Sequence, residues 1–234
     1  MSLGFRVITD IRRPPAELTR KFEEYRSCDL SDVMNRSGTM VGIRPVFIPI
    51  PRAVGPAVTV SIPAGGINMV KLGIQQARRG DVIVVSTQAN TTFAMMGGNI
   101  SMGMQARGIK AFIIDGSIRD VSEMRALDFP TFARSVSCAA GELGGYRGEV
   151  NVPIACGGVV VNPGDIIVAD EDGIVVVPPE FAEAVLAGVP KLHASHEKAR
   201  EVLRTGEMTA IESITEDFVK QGLEFVSLRV PAEP

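Results

Sequence analysis

Polar residues between Gly97 and Glu123 have the types and spacing that metal-assisted chemistry requires. Asp120 and Glu123 are three residues apart, so a helix would present both carboxylates on one face, where they could reach a hard cation. Arg119 adds a fixed positive charge beside them. A second polar cluster, Gly97-Gly98-Asn99, opens another helical pattern, and glycines at a helix start let backbone N–H groups converge on an anion. The segment therefore predicts a site that holds a cation beside an anion.

The elements that must position these residues alternate between apolar strands and amphipathic helices. We predict strands at 57–62, 81–86 and 110–115, and helices at 67–78, 100–107 and 119–127. Gly116-Ser117 is predicted to form the turn between the third strand and the third helix, with Asp115 as a turn-forming residue outside the site. Such alternation is typical of parallel strands linked by crossover helices. Both polar clusters would then flank the strand at 110–115.

Short helices and strands flank this central part. Two N-terminal helices are predicted between Pro14 and Gly38, and four short strands at 150–155, 158–161, 166–169 and 174–177 indicate a β layer. From about 179 a long helical pattern continues to about Arg204, with Gly206 as its stop. No linker or repeat divides the chain. The predicted fold class is α/β, a single domain over residues 1–234 with a C-terminal helical arm at about 179–234.

Composition excludes several classes of protein. The chain has 234 residues, 45% hydrophobic and 22% charged, which is typical of a sizeable globular domain. A net charge of −3 with 5% aromatic residues argues against nucleic-acid binding. No apolar run approaches the length of a membrane span, and the start lacks a secretory signal pattern. The cysteines are odd in number without CxxC spacing, so we expect a reducing, cytoplasmic location with all three in the core: Cys28, Cys138 and Cys156.

The motifs of several common enzymes are also missing. The sequence contains no GxxxxGK[ST] loop, no GxSxG elbow and no HExxH helix. It has no GxGxxG either, so a nucleotide-like cofactor such as a methyl donor has no evident cradle. With only two histidines, His193 and His196, a histidine-rich metal site is excluded, whereas a hard cation held by carboxylates is still allowed.

Three stretches together carry a resemblance to a known family. They are GGNISMGMQARGIKAFIIDGSIRDVSE at 97–123, VGPAVTV at 54–60 and GEVNVPIACGGVVVNPGDIIVADEDGIVVVP at 148–178. The chain resembles the RraA-like family, which includes metal-dependent 4-hydroxy-4-methyl-2-oxoglutarate aldolases, over a core of about 29–185. The resemblance implies a layered β/β/α fold and a homo-oligomer, a trimer or a hexamer, with active sites at subunit contacts. It also implies Mg²⁺, or Mn²⁺ or Co²⁺, and 2-oxo acid substrates.

The resemblance also implies roles for individual residues. Arg119 matches the family arginine that neutralises the keto oxygen, and Asp120 matches the direct metal ligand. The family aldolases have a second aspartate at the position of Gly98, so this chain departs from the pattern there. An acid at Glu123 resembles a variant pattern within the family, in which Glu123 would supply the missing carboxylate.

Further matches concern substrate binding. The turn formed by Gly97, Gly98, Asn99 and Ile100 matches the backbone nest that receives the substrate carboxylate. Asn68 matches a polar site residue, and Glu197 of the helical arm matches an acid contributed across the subunit contact. The segment at 137–147, SCAAGELGGYR, lacks the proline and lysine that the aldolases often carry there. We therefore expect a different pocket for the distal part of the substrate.

The implied activity is a lyase that releases pyruvate. A cation chelated by the carboxylate and keto oxygens would draw electrons from C2, and Arg119 would stabilise the enolate. Retro-aldol cleavage and decarboxylation of an oxaloacetate-like acid share that enolate. The alternative is a non-catalytic regulator that binds ribonuclease E, which the missing aspartate at Gly98 favours and the retained acids disfavour. Some family members carry the name demethylmenaquinone methyltransferase, but this sequence has no evident cradle for the cofactor of that reaction.

Each candidate residue also fits a purely structural interpretation. Arg119-Asp120 could be an ordinary helix start, because aspartate favours the positive end of a helix. Glu123 could be a solvated residue of the same helix, and Gly97-Gly98 could serve only tight packing. The positions of these side chains in the fold distinguish the two interpretations.

Overall fold

The computed structural model describes residues 3–63, 66–142, 147–206 and 209–226. Its strands are β1 (Arg6–Val7), β2 (Arg44–Pro45), β3 (Ala53–Ser61), β4 (Val82–Ser86), β5 (Ala111–Ile118), β6 (Thr131–Val136), β7 (Glu149–Val150), β8 (Ile154–Cys156), β9 (Val159–Val161), β10 (Ile166–Ala169) and β11 (Ile174–Val177). Its α-helices are α1 (Ala16–Lys21), α2 (Ser27–Val33), α3 (Ile67–Gln76), α4 (Gly98–Ala106), α5 (Val121–Ala126), α6 (Ala182–Arg204) and α7 (Thr209–Lys220). Short 3₁₀ turns lie at Phe22–Glu24 and Pro179–Phe181.

Most of the strands join one large mixed sheet. Within the described residues its order is β1-β7-β3-β4-β5-β6-β2, and β10 pairs with both β3 and β11. The four central strands β3, β4, β5 and β6 run parallel. The alternating pattern predicted the first three of them but not β6. The β10–β11 hairpin lies antiparallel to the first half of β3, and β8–β9 form a separate pair. The fold is therefore mixed α/β, as predicted.

The central strands are buried on both faces. All five residues of β4 and all eight of β5 are buried, and their Val-rich and Ile-rich runs are typical of parallel strands covered on both sides. Helix α3 packs closely on β3, because a Cβ at Gly73 would lie 2.4 Å from the Val60 Cγ2 atom. This close contact holds α3 against the carboxyl-terminal end of β3.

The chain leaves β5 later than the sequence predicted. Gly116 and Ser117, predicted as a turn, lie within β5, where Ser117 pairs with Ser135 of β6 after a register shift. Gly116 fits there because a Cβ would lie 2.5 Å from the Thr87 Oγ1 atom. The change of direction falls instead at Asp120, whose φ of 61° is left-handed. Asp115 is consequently a buried strand residue, and its prediction as a turn residue was wrong.

A partly buried ion pair connects the sheet to the β8–β9 hairpin. The Asp115 carboxylate accepts a short hydrogen bond from the Arg134 Nε atom of β6 and another, at 3.2 Å, from the Gly157 N–H. The hydrogen bond that Arg134 donates to Asp115 raises the pKa of the guanidinium. Asp115 is 7% exposed, so its charge depends on these partners rather than on water.

Removal of this carboxylate is expected to destabilise the fold strongly. Asp115→Ala would leave the Arg134 charge and the Gly157 N–H without their acceptor, so we expect the free energy of unfolding to fall by about 3 kcal/mol. Urea denaturation measures the change. Glu23→Ala removes an exposed partner of Lys110, 3.7 Å away, and serves as the control, with an expected loss below about 0.5 kcal/mol. Equal losses in the two variants would contradict the expectation.

The chain divides into two compact units, Met1–Pro190 and Lys191–Pro234. Helix α6 ends at Arg204, where the sequence predicted its end, and α7 belongs to the second unit. Among the described helices, none combines the length and apolar character needed to cross a bilayer. Cys156 is buried as expected, whereas Cys138 is exposed in the loop after β6, so the expectation of a core position was wrong for Cys138.

Candidate functional site

A cavity of about 220 Å³ opens where β5 ends and α4 begins. Cavities at the carboxyl ends of parallel strands are the usual ligand sites of such sheets. The wall includes cationic, anionic and apolar groups: Ile67, Lys71, Ala94, Met95, Met96, Gly97, Asn99, Ile100, Arg119, Asp120 and Ala140. Five residues of the predicted site thus line one cavity, namely Gly97, Asn99, Ile100, Arg119 and Asp120.

The segment from Ala94 to Gly97 holds the wall together through backbone hydrogen bonds. The Met95 N–H donates to the Ser117 carbonyl at 2.9 Å, and the Arg119 N–H donates to the Met96 carbonyl at 3.0 Å. On its other side the Ala94 N–H donates to the Ala139 carbonyl at 2.7 Å. The start of α4, the end of β5 and the loop after β6 are therefore fixed relative to one another.

Asp120 joins the starts of two helices. Its backbone is left-handed, a conformation that aspartate tolerates better than most residues, and it precedes α5. The Asp120 Oδ2 atom accepts a hydrogen bond from the Gly98 N–H at 3.1 Å and lies 3.5 Å from the Arg119 Nε atom. A Cβ at Gly97 would lie 2.3 Å from the same Oδ2 atom. Glycine at 97 therefore leaves the space that the Asp120 carboxylate occupies.

Glu123 occupies the space that a side chain at 98 would need. A Cβ at Gly98 would lie 1.7 Å from the Glu123 Oε2 atom, far inside contact distance. Gly98 and Glu123 are thus sterically coupled, since a residue with a side chain at 98 requires the glutamate to move. Glu123 does not line the cavity. Its carboxylate lies against Gly98, between the lining residues Gly97 and Asn99.

The start of α4 offers backbone donors to the cavity. The Gly98 N–H is bonded to Asp120, and the Ser101 N–H donates to the Gly97 carbonyl at 3.1 Å. The N–H groups of Asn99 and Ile100 belong to the first helical turn and have no partner within the helix. The predicted nest therefore provides two donors from Asn99 and Ile100, together with the positive end of α4.

Two other predicted residues lie elsewhere. Asn68 is half-buried in the first turn of α3, next to Ile67, which lines the cavity. Glu197 belongs to the second compact unit, where it pairs with Arg204 at 2.9 Å and with Arg200 at 3.5 Å.

Lys71 lines the cavity, and the sequence analysis missed it. The only feature of the sequence that could have pointed to Lys71 is its spacing. It lies four residues after Ile67 and three after Asn68 and so shares their helix face.

A family model described as Aldolase/RraA matches residues 27–176. The chain belongs to the RraA-like family. The matched region contains α3, α4 and α5 and hence every residue that lines the cavity.

Individual relatives and solved structures are similar to this chain over most of its length. A protein of Halalkalibacterium halodurans, provisionally named 4-hydroxy-4-methyl-2-oxoglutarate aldolase, is 39% identical over 72% of this chain and 79% of its own length. A crystal structure of an uncharacterized protein from Pseudomonas syringae pv. tomato matches with a TM-score of 0.75 at 26% identity, covering 88% of this chain and 97% of that one. The Streptomyces coelicolor protein described as an unusual member of the RNase ES inhibitor RraA family matches with a TM-score of 0.69 at 25% identity, covering 83% and 100%.

Two carboxylates of this RraA-like chain have oxygen atoms of the kind that a hard divalent cation binds. In the described part of the chain, Asp120 Oδ1 and both Glu123 oxygens have no hydrogen-bonding partner, so these atoms are available to a ligand. No group of three or more His, Cys, Asp or Glu side chains there could hold a metal ion. Mg²⁺ is commonly bound by one or two carboxylates, with water and substrate oxygens completing its shell. Asp120 and Glu123 are the residues that would hold it.

Proposed function

We propose that this chain is a divalent-metal-dependent carbon–carbon lyase acting on 2-oxo acids. The reaction is retro-aldol cleavage of a 4-hydroxy-4-methyl-2-oxoglutarate-type substrate, decarboxylation of oxaloacetate, or both, with release of pyruvate. The observation that carries the proposal is the cavity in which Arg119, Asp120 and the start of α4 meet. A fixed cation, a metal-binding carboxylate and backbone anion donors in one cavity are what enolate chemistry needs.

Each group has a separate task in this proposal. The N–H groups of Asn99 and Ile100 bind the substrate carboxylate at the positive end of α4. The Arg119 guanidinium, already held near Asp120, neutralises the negative charge that develops on the keto oxygen. A bound Mg²⁺, Mn²⁺ or Co²⁺ would supply Lewis acidity at Asp120 and Glu123.

Both proposed reactions cleave the bond between C3 and C4 of the substrate. The C3–C4 bond breaks, and its electron pair enters the pyruvate enolate whose oxygen faces Arg119. In the retro-aldol case the 4-hydroxyl gives its proton to water and C4 departs as the carbonyl carbon of the second product, whereas in decarboxylation C4 departs as carbon dioxide. In both cases a proton taken up from water at C3 converts the enolate into pyruvate. The buried side chains of Met95 and Met96 keep this part of the cavity apolar, which strengthens the charge interactions beside it.

The proposal extends to assembly and location. As in the family aldolases it resembles, we propose that the chain works as a homo-oligomer, a trimer or a hexamer, in the cytoplasm. Glu197 would then contribute its carboxylate to a neighbouring subunit's site. The core at about 29–185 and the helical arm at about 179–234 would act together as one domain.

A second candidate function is protein interaction without catalysis. Two observations favour it, namely the absence of the aldolase aspartate at Gly98 and the likeness to the Streptomyces coelicolor member of an RNase inhibitor family. In that case the chain would regulate ribonuclease E or another protein. The available carboxylates of Asp120 and Glu123 beside Arg119 favour catalysis instead.

Pyruvate release and ligand binding distinguish the two functions. With Mg²⁺ or Mn²⁺ we expect pyruvate from oxaloacetate or from 4-hydroxy-4-methyl-2-oxoglutarate, and none after chelation of the metal. Oxalate or pyruvate with metal should also raise the melting temperature, because a ligand at 100 times its Kd stabilises by about 2.7 kcal/mol. Propionate, which lacks the 2-oxo group, is the control. Absence of both turnover and stabilisation would contradict the lyase and favour the interaction protein.

A further inference from the structure

The cavity contains one more positive charge than a simple 2-oxo acid requires. The cations among the lining residues that the structure describes are Arg119 and Lys71. Arg119 lies 3.5 Å from the Asp120 carboxylate, next to the site of bond cleavage in the proposed function. Lys71 forms no ion pair or hydrogen bond through its side chain with any described residue, although it lies at a cavity wall. Its charge is therefore available to a ligand.

Lys71 lies on a different wall from the groups that bind the pyruvoyl end. Asn99, Ile100, Arg119 and Asp120 come from the α4 start and the β5–α5 junction, whereas Lys71 comes from α3. The N–H of Ile67, one turn earlier on α3, donates to the Glu142 carbonyl at 3.5 Å. Glu142 belongs to the loop after β6, which also contributes Ala140 to the cavity. If the pyruvoyl end binds at Asn99, Ile100 and Arg119, as in the proposed function, the wall formed by α3 and this loop is left for the part of the substrate beyond C3.

Other cations near this wall are less suitable. The segment at 137–147 contains no lysine, and its arginine, Arg147, lies over the Phe5 ring with its guanidinium carbon 5.7 Å from the ring centre. Lysine also suits the role chemically, because its charge sits on a flexible four-carbon stem that can follow acids of different length.

We propose that Lys71 is a specificity-determining residue that pairs with a second carboxylate of the substrate. The site thereby selects dicarboxylic 2-oxo acids over monocarboxylic ones. This inference rests on the proposed lyase function and adds to it the residue of this chain that recognises the distal end of the substrate.

The test compares a dicarboxylate with a monocarboxylate in Lys71→Met, Lys71→Arg and Lys110→Met. Pyruvate release is measured from 4-hydroxy-4-methyl-2-oxoglutarate and from 4-hydroxy-2-oxopentanoate, which lacks the second carboxylate. Since a hydrogen bond to a charged group contributes 1.5–3 kcal/mol, Lys71→Met should lower the ratio of the two kcat/KM values about 10- to 100-fold, mostly through KM. Lys71→Arg should restore most of the ratio. Lys110 is exposed and lies at the other end of β5, so Lys110→Met should keep the wild-type ratio.

Binding of uncleaved analogues keeps the two proposals separate. Calorimetry with Mg²⁺ measures the affinities of 2-oxoglutarate and 2-oxobutyrate, and Lys71→Met should lower their ratio by a similar factor. An unchanged ratio in Lys71→Met, in turnover and in binding, would overturn the role of Lys71 while pyruvate release still supported the lyase. Absence of pyruvate release from both substrates by the wild-type chain would instead overturn the proposed function, and the binding ratio alone would then decide whether Lys71 recognises a second carboxylate.

Discussion

Asp120→Asn is expected to abolish metal-dependent pyruvate release, with a loss of about a thousandfold or more in kcat/KM. The change removes the negative charge that the proposed cation needs, while the amide keeps the size of the side chain. Asparagine also tolerates the left-handed φ of 61° at this position and retains an oxygen that can accept the Gly98 N–H. The loss would therefore report the charge rather than a disturbed fold.

The control for this variant is another aspartate in the same backbone conformation. Asp128, with φ of 52°, is exposed beyond the end of α5 and does not line the cavity. Asp128→Asn should keep wild-type turnover and metal dependence. Steady-state assays with Mg²⁺ and with chelator, alongside thermal denaturation of both variants, make the comparison. Undiminished turnover in a folded Asp120→Asn protein would refute the assignment of Asp120 as the metal ligand.

Strands β4 and β5 could be predicted because buried parallel strands consist of consecutive apolar residues. The run Val82–Ser86 and the first half of Ala111–Ile118 are apolar and short, and helical patterns lie between them. The end of β5 could not be predicted in this way. Gly116-Ser117 has the composition of a turn, yet the contact of Gly116 with Thr87 and the pairing of Ser117 with Ser135 keep it in the sheet. Those contacts are tertiary and leave no local pattern.

The same difference between local patterns and tertiary contacts decides which residues of the candidate site could be predicted. Arg119, Asp120 and the Gly97-Gly98-Asn99 turn stand close together in the sequence, so their types and spacing sufficed to predict a shared site. Lys71 joins the cavity from a helix more than twenty residues earlier, and an exposed lysine on an amphipathic helix has no local feature that sets it apart. Local spacing also could not show that Asp120 itself would take the Gly98 N–H, which leaves Asn99 and Ile100 as donors.

Position 98 and Glu123 raise a further question, because a side chain at 98 and the Glu123 carboxylate would occupy the same space. The resemblance to the aldolases suggests that Glu123 replaces an aspartate lost at 98, and the Glu123 Oε2 atom lies 1.7 Å from the place of a Cβ at that residue. If the carboxylate has moved from one position to the other, either residue alone should serve, and both together should not fit. The relation can be tested with a double-mutant cycle.

Glu123→Ala is expected to lower kcat/KM about 10- to 100-fold, since the metal would keep Asp120 but lose its second carboxylate. Gly98→Asp alone should destabilise the fold by about 1–3 kcal/mol, because its side chain collides with Glu123. The double variant removes the collision with the glutamate carboxylate, although the Cβ of residue 123 still lies 2.8 Å from the new Cβ. It also returns a carboxylate at the first position of α4, where a negative charge favours the helix. It should therefore regain most of the activity that Glu123→Ala loses and part of the stability that Gly98→Asp loses.

Kinetics and thermal denaturation of the four proteins in the cycle measure this coupling. Gly103→Asp provides the matched control, because it adds an aspartate to the same helix at a residue with nothing within 4 Å of its Cβ position. In the Glu123→Ala background Gly103→Asp should restore nothing. Additive losses in Gly98→Asp/Glu123→Ala would mean that Glu123 is only a solvated helix residue, whereas recovery would identify one carboxylate that two positions of this fold can supply.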